Sequence, residues 1–275
     1  MLLCFGLMIT VSRRHLLGAG TVAGVLALAG STSTGSARPG RPVATATPRP
    51  SAPPSHPAAK PAALKPLAHP VFTLADYRRA VGGSAFPSDA VALTIDDGPH
   101  PVWTPKILRL LAKHHVPATF CMIGNQVLGH ETVARAVVRD GHRLANHTWS
   151  HPTHLGKKNA HTVAKELTRA QEKIHDTTGE APTLFRSPGG DWSPALLRNA
   201  AQHRLIPLDW SDDPRDWSRP GVAAISRRLL KARPGQILLC HDGGGDRSQT
   251  YTALSTVIPA LKARGYRFVS LDPRS

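Results

Sequence analysis

The chain has 275 residues, 41% of them hydrophobic, which is enough to bury one large core or two small ones. Its formal charge of +16 raises nucleic-acid binding, but residues 1 to 70 carry seven basic residues and no acidic one, leaving 27 basic against 18 acidic residues from 71 onward. Those 27 are scattered, without the basic and aromatic interleaving of nucleic-acid readers, so nucleic acid is not an expected partner and an anionic wall polymer accounts for the charge equally well.

In chain order, residues 1–37 read as an export signal. Ser12-Arg13-Arg14-His15-Leu16-Leu17 resembles a twin-arginine signal, and an apolar run from Leu16 to Gly30 leads to small residues ending at Ala37. The run is about 15 residues, short of the roughly 20 that span a bilayer. Cleavage is therefore expected, membrane contact is confined to export, and the domain is expected to be secreted, extracellular or wall-associated. Residues 38–70, rich in Pro and Ala with scattered Arg and Lys, read as a disordered spacer that cannot bury enough apolar surface to offset its ordering entropy. Its basic residues suit contact with anionic cell-wall polymers.

From 71 to 275 short β-prone runs alternate with helical patterns. Strands are expected at Ala90 to Ile95, Ala118 to Ile123, His142 to Asn146, Leu184 to Arg186, Leu205 to Asp209, Gln236 to Cys240 and Tyr266 to Leu271. Helices are expected at Thr104 to His114, Val127 to Asp140, His161 to Thr178, Pro194 to Ala201, Val222 to Ala232 and Tyr251 to Arg264. Such alternation implies an α/β fold whose parallel sheet, with about seven strands, closes into a (β/α) barrel, here a monomer. Cys121 and Cys240 lie within apolar runs and read as buried small hydrophobes before they read as a disulfide.

Polar clusters follow the strands at Asp96-Asp97, His147 to His151, Arg186-Ser187-Pro188, Asp213 to Trp217 and His241-Asp242, the end of a parallel sheet where active sites assemble. Adjacent strand side chains point to opposite faces, so Asp96 and Asp97 share a site only where the strand breaks, and Gly98-Pro99 supplies a break. His147 and His151 are four apart, a spacing that on a helical turn aims both imidazoles at one ion. Two histidines and a carboxylate make a three-ligand set with open positions for water and substrate.

Together and in this order, the five clusters resemble the polysaccharide deacetylase, or NodB-homology, family of carbohydrate esterases over about residues 88 to 272. The resemblance implies a distorted (β/α) barrel, a divalent metal, zinc first with cobalt or nickel as alternatives, and hydrolysis of acetyl groups on chitin, peptidoglycan or xylan. Matched element by element, it implies that Asp96 is the general base, that Asp97, His147 and His151 hold the metal, and that Arg186 orients Asp96. It makes His241 the general acid. A carboxylate beside His241 would keep it protonated, and Asp213 is expected in that role before Asp216.

Trp217 and Leu239 are expected to wall the acetyl pocket, and Pro188 and Gly189 to line the sugar site. Where the family often has an aromatic, this chain has Gly189; its N–H can still stabilise an oxyanion, and Trp192 is the expected replacement for the missing ring. The implied activity is N-deacetylation of an amino-sugar polysaccharide, peptidoglycan or chito-oligosaccharide. Alternatives are an O-acetyl esterase on acetylxylan, a metal-free glycosidase and a non-catalytic wall-binding domain. Neighbouring aspartates suit a glycosidase poorly, because retaining enzymes hold their carboxyls about 5 Å apart across the bond.

Overall fold

The computed structural model describes residues 64 to 272. The expected export signal and most of the expected spacer lie outside the described residues. The last seven spacer residues lie within them, and they sit against the domain: the Leu64 N–H donates to Ala201 O (3.0 Å), Leu67 packs on the core and Pro70 is buried.

Seven strands form one sheet in which every pairing is parallel: β1 (Ala90–Asp96), β2 (Thr119–Met122), β3 (Arg143–Asn146), β4 (Leu184–Phe185), β5 (Ile206–Pro207), β6 (Ile237–His241) and β7 (Arg267–Val269). Their order is β5-β4-β3-β2-β1-β6, with β7 also paired to β1. The sheet curls, and the chain leaving β5 spans its open side: Ser211 N–H donates to Ile237 O, and Leu239 N–H to Asp212 O. The barrel expected from the alternation of strands and helices is therefore present in distorted form.

The described residues form eight α-helices, the first ahead of β1 and the others between strands: α1 (Leu74–Val81), α2 (Trp103–His114), α3 (Gly124–Val127), α4 (Glu131–Arg139), α5 (Ala160–Thr178), α6 (Pro194–Gln202), α7 (Val222–Leu229) and α8 (Ser248–Ala263). Their ends follow local chemistry. Thr73 and Asp76 form a capping box at α1, Asn159 caps α5, and Ser193 caps α6 ahead of Pro194. The single helix expected from Val127 to Asp140 is two, because the chain opens at Leu128 to His130 around Gly129, whose φ is 78°. Helix α1 was not expected from the sequence: its eight residues bury only Leu74 and Tyr77, too few to show a period.

Strand alternation decides what each face does. On β1, Val91, Leu93 and Ile95 enter the larger core beneath the helices, with Phe120 and Met122 of β2, Leu144 of β3 and Leu238 and Cys240 of β6. The opposite face carries Ala90 and Ala92, Cys121, Ala145, Leu184 and Ile237 into a smaller core inside the curl. Period two then sends Asp96, His147, Arg186 and His241, at or just beyond the C-terminal ends of β1, β3, β4 and β6, to this inner face. Both described cysteines are free and buried, on opposite faces of the sheet.

Candidate active site

Asp96 ends β1 facing inward. Asp97, which by alternation would face away, has φ 74°, so the strand breaks at Asp97 itself, and a cis Gly98–Pro99 bond follows. Close packing enforces this turn. A Cβ on Gly243 would lie 2.0 Å from the Asp97 carbonyl oxygen, and one on Gly98 2.5 Å from the Asp242 carboxylate. The loop after β6 thus presses directly on the loop after β1, and glycine is required where they touch.

His147 and His151 do meet, but not on a helical turn. They lie in a loop in which Thr148 (φ 66°) and His151 (φ 56°) both take left-handed backbone conformations. Asn146 Oδ1 accepts the Thr148 N–H (2.9 Å), and Thr148 Oγ1 accepts the His151 N–H (3.0 Å); these short local bonds replace the helical ladder. The ring centroids are 4.9 Å apart, and Asp97 Oδ1 is 3.5 Å from His147 Nε2 and 3.4 Å from His151 Nε2.

These three residues suit a divalent cation. One ligand atom from each lies within 4.8 Å of the other two. Asp97 Oδ1 is buried without a hydrogen bond, a costly state unless an ion occupies the space it faces. The bond between His147 Nδ1 and Arg186 O (2.8 Å) makes Nδ1 the donor and leaves the Nε2 lone pair toward Asp97. Burial opposes a charge on His147, yet the carboxylates of Asp96 and Asp97 hold it above the usual imidazole range. The pocket attracts positive charge, and a cation satisfies the same carboxylates that the proton would.

Arg186 is fully buried. Its Nη1 donates to Asp96 Oδ1 (2.7 Å) and Thr94 Oγ1 (2.8 Å), and its Nη2 to Asp209 O (2.9 Å). Burial works against ionisation of Asp96, but the Arg186 guanidinium, together with the nearby His147 and His241 imidazoles, holds the carboxyl below the usual carboxylate range. Asp96 is a buried base kept ready to accept a proton. Losing Arg186 would strand that charge, at a cost of about 3–5 kcal/mol.

His241 has a carboxylate partner, and it is Asp216. Asp216 Oδ1 lies 2.7 Å from His241 Nδ1, and Oδ2 accepts the His241 backbone N–H (2.9 Å) and the Thr250 hydroxyl (2.8 Å). The expectation favouring Asp213 is corrected: its Oδ1 accepts the Arg215 N–H two residues on (2.6 Å), which pins it to its own turn. Burial opposes charge on His241, but the Asp216 hydrogen bond and charge prevail and push its pKa up to about 9.

Among the expected pocket residues, Trp217 is 46% exposed, which excludes a core role, and the Arg215 guanidinium sits 5.3 Å over its ring. Leu239 is buried two residues before His241, on the same face of β6. Pro188 is buried, and Gly189 stands exposed at φ 65°. Trp192 is engaged elsewhere, its Nε1–H donating to Asp209 Oδ2 (2.8 Å) and its ring edge-on to Phe185. The aromatic against the glycine turn is instead Trp210, so close that a Cβ on Gly190 would meet its ring at 2.9 Å. Sequence reading passed over Trp210, although it stands three residues past β5, at the same sheet end as the other clusters.

Asp242, which the sequence placed in a polar cluster beside His241 without a role, also has a distinct setting. It is fully buried, takes a hydrogen bond from Thr104 Oγ1 (2.5 Å), and burial raises its pKa to about 7.

A family model described as polysaccharide deacetylase matches residues 83–206. A chitooligosaccharide deacetylase from Sinorhizobium fredii is 42% identical over 208 residues, covering 71% of this chain and 96% of that protein. A peptidoglycan-N-acetylglucosamine deacetylase from Bacillus cereus is 39% identical over 185 residues, covering 66% of this chain and 86% of that one. The crystal structure of the Bc1960 peptidoglycan N-acetylglucosamine deacetylase superimposes with a TM-score of 0.65 at 34% identity, over 68% of this chain and 87% of the other. With the curled parallel sheet and the residues gathered at its C-terminal end, these likenesses establish that the chain belongs to the polysaccharide deacetylase family.

Proposed function

We propose that this protein is an exported, metal-dependent N-deacetylase of N-acetylglucosamine-containing polymers, peptidoglycan or chito-oligosaccharide. One observation carries the reading: an inward-facing set of metal-ligating side chains shares its cleft with an ionised buried base and a protonated buried acid, each fixed by its own partner at 2.7 Å. Amide hydrolysis needs that pairing, since the amine leaving group departs only when it is given a proton.

Asp97, His147 and His151 would hold the cation, with zinc favoured by two imidazoles and one carboxylate. When bound, a divalent cation supplies a Lewis acid that polarises the acetyl carbonyl and makes water more acidic. Asp96, kept ionised by Arg186, accepts the proton of the attacking water. The Gly189 N–H would donate to the developing oxyanion, a role that needs no side chain. His241, held protonated by Asp216, delivers its proton to the departing amine. Leu239 and Trp217 border the acetyl methyl, and Trp217 and Trp210 offer exposed or half-exposed rings to the sugar.

Names of the relatives support the substrate class, and both describe deacetylases of amino-sugar chains. Export rests on the paired arginines and apolar run of residues 12 to 30, and it places the enzyme where such polymers are found. The test is acetate release from peptidoglycan, chito-oligosaccharide and acetylxylan by metal-stripped and reconstituted protein. Acetate from the first two, lost on stripping and restored by zinc, is the expected result. Activity that survives stripping, or that is confined to acetylxylan, would overturn the reading.

A further inference from the structure

We infer that Thr250 is a positioning residue for the acid of this site: its buried hydroxyl fixes the Asp216 carboxylate so that Oδ1 alone meets the His241 imidazole. The inference rests on the deacetylase reading for what the acid does, but the geometry stands by itself. Carboxylate torsions are broad and two-fold, so a carboxylate held at one point can rotate and offer either oxygen. Asp216 is held at three. Oδ1 takes the His241 Nδ1–H, while Oδ2 takes both the His241 N–H and the Thr250 Oγ1–H, at 2.9 and 2.8 Å. The backbone donor belongs to the same residue as the imidazole, so among the described residues Thr250 supplies the one hold on this carboxylate that does not come from His241.

Three hydroxyls deeper in the helices of this protein bond back to their own helix, whereas Thr104, in the first turn of α2, likewise reaches a distant carboxylate, that of Asp242. In α8, Thr252 donates to Ser248 O and Ser255 to Tyr251 O, each four residues back, and Thr178 in α5 does the same to Ile174 O. Thr250 stands in the first turn of α8, where no helical carbonyl lies four residues behind, and its hydroxyl reaches across 34 residues of sequence to Asp216. It is completely buried.

The rest of that turn braces the same loop. Gln249 Oε1 accepts the Gly221 N–H (2.8 Å), Arg247 donates to Trp217 O (3.2 Å) and Gly243 O (2.6 Å), and Asp246 pairs with Arg219 (2.9 Å). The start of α8 thus ties the segment bearing Asp216 and Trp217 to the loop bearing His241, and Thr250 is the tie that reaches the acid's own partner.

The experiment compares Thr250→Val, which is nearly isosteric and lacks only the donor, with Thr250→Ser, which keeps it. The zinc-loaded full chain is assayed for kcat and KM on an N-acetylglucosamine oligomer, for bound metal, and for the low-field proton resonance of His241 Nδ1–H, identified by its loss in His241→Gln. In Thr250→Val we expect kcat to fall about tenfold, KM and metal content to stay unchanged, and the resonance to shift; Thr250→Ser should restore kcat and resonance together. Unchanged kcat and resonance in the valine variant would overturn the assignment, as would a serine variant that falls as far as the valine one, which would mean that the methyl group matters instead. If the valine variant melts below the assay temperature, Thr250→Ala carries the same comparison against serine. The resonance is read without turnover, so a wild type that releases no acetate defeats the deacetylase reading while the resonance still decides on Thr250.

Discussion

Asp216 shows how a single residue's surroundings set the chemistry at this site. Its carboxylate, with smaller help from those of Asp96 and Asp97, overcomes the burial of His241 and lifts the imidazole to about 9, so the imidazole stays protonated through neutral pH and loses its proton only as pH rises toward that value. Asp96, depressed by Arg186, stays ionised down into the acid range. Activity on an acetamido substrate should therefore be level across neutral pH and fall on an alkaline limb at or below about 9, since a bound cation repels the imidazolium and lowers its pKa. Asp216→Asn removes the charge that raises His241. Its alkaline limb should move to lower pH, with a loss at pH 8 of about a hundredfold or more, the usual worth of a general acid. A pH profile of kcat that keeps its alkaline limb in this variant would show that another group holds the imidazole. Asp213, tied to the turn at Arg215, serves as the control: Asp213→Asn should leave the limb in place.

Among elements, the loops after β1 and β6 act as one unit, because Gly243 meets the Asp97 backbone, which cannot adjust as a side chain can, while Gly98 packs on the Asp242 carboxylate. Gly243 is the closest point, with no room for a Cβ against the Asp97 carbonyl. Gly243→Ala should displace Asp97, lowering metal stoichiometry along with acetate release and costing about 1–3 kcal/mol of stability through overpacking. Metal titration by calorimetry, with a thermal melt alongside, checks both. Full metal binding in the alanine variant would mean that the loop yields where the packing says it does not. The five polar clusters were readable beforehand because each follows a β-prone run, although the strands themselves range from two residues in β4 and β5 to seven in β1. The division between α3 and α4 was not, since Val127 and the apolar residues of α4 continue one helical period across a gap of three residues.

For the whole molecule, the chain from Leu64 to Thr73 belongs to the barrel. The Val71 N–H donates to Pro207 O, Asp209 N–H donates to Val71 O, and Val71 is buried in the inner core beside Leu208. A protein starting at residue 64 should keep its melting temperature and its acetate release. One starting at residue 74 should lose about 2–3 kcal/mol, the burial of one large aliphatic side chain. Equal melting temperatures for the two would show that the segment merely rests on the surface.

Sequence alone determined the alternation of strand and helix, the end of the sheet where chemistry gathers, and the candidates for metal ligands, base and acid. The first two follow from local periodicity, and the candidates from short motifs that resemble those of the polysaccharide deacetylase family. Only the tertiary structure decided that Asp216 and not Asp213 holds His241, that Trp210 and not Trp192 lies against the glycine turn, and that the two histidines converge through left-handed backbone and not through a helix. Each is a choice between candidates close in sequence and similar in chemistry. It turns on which side chain the backbone points into the cleft, and that direction is set by contacts between segments far apart in the chain.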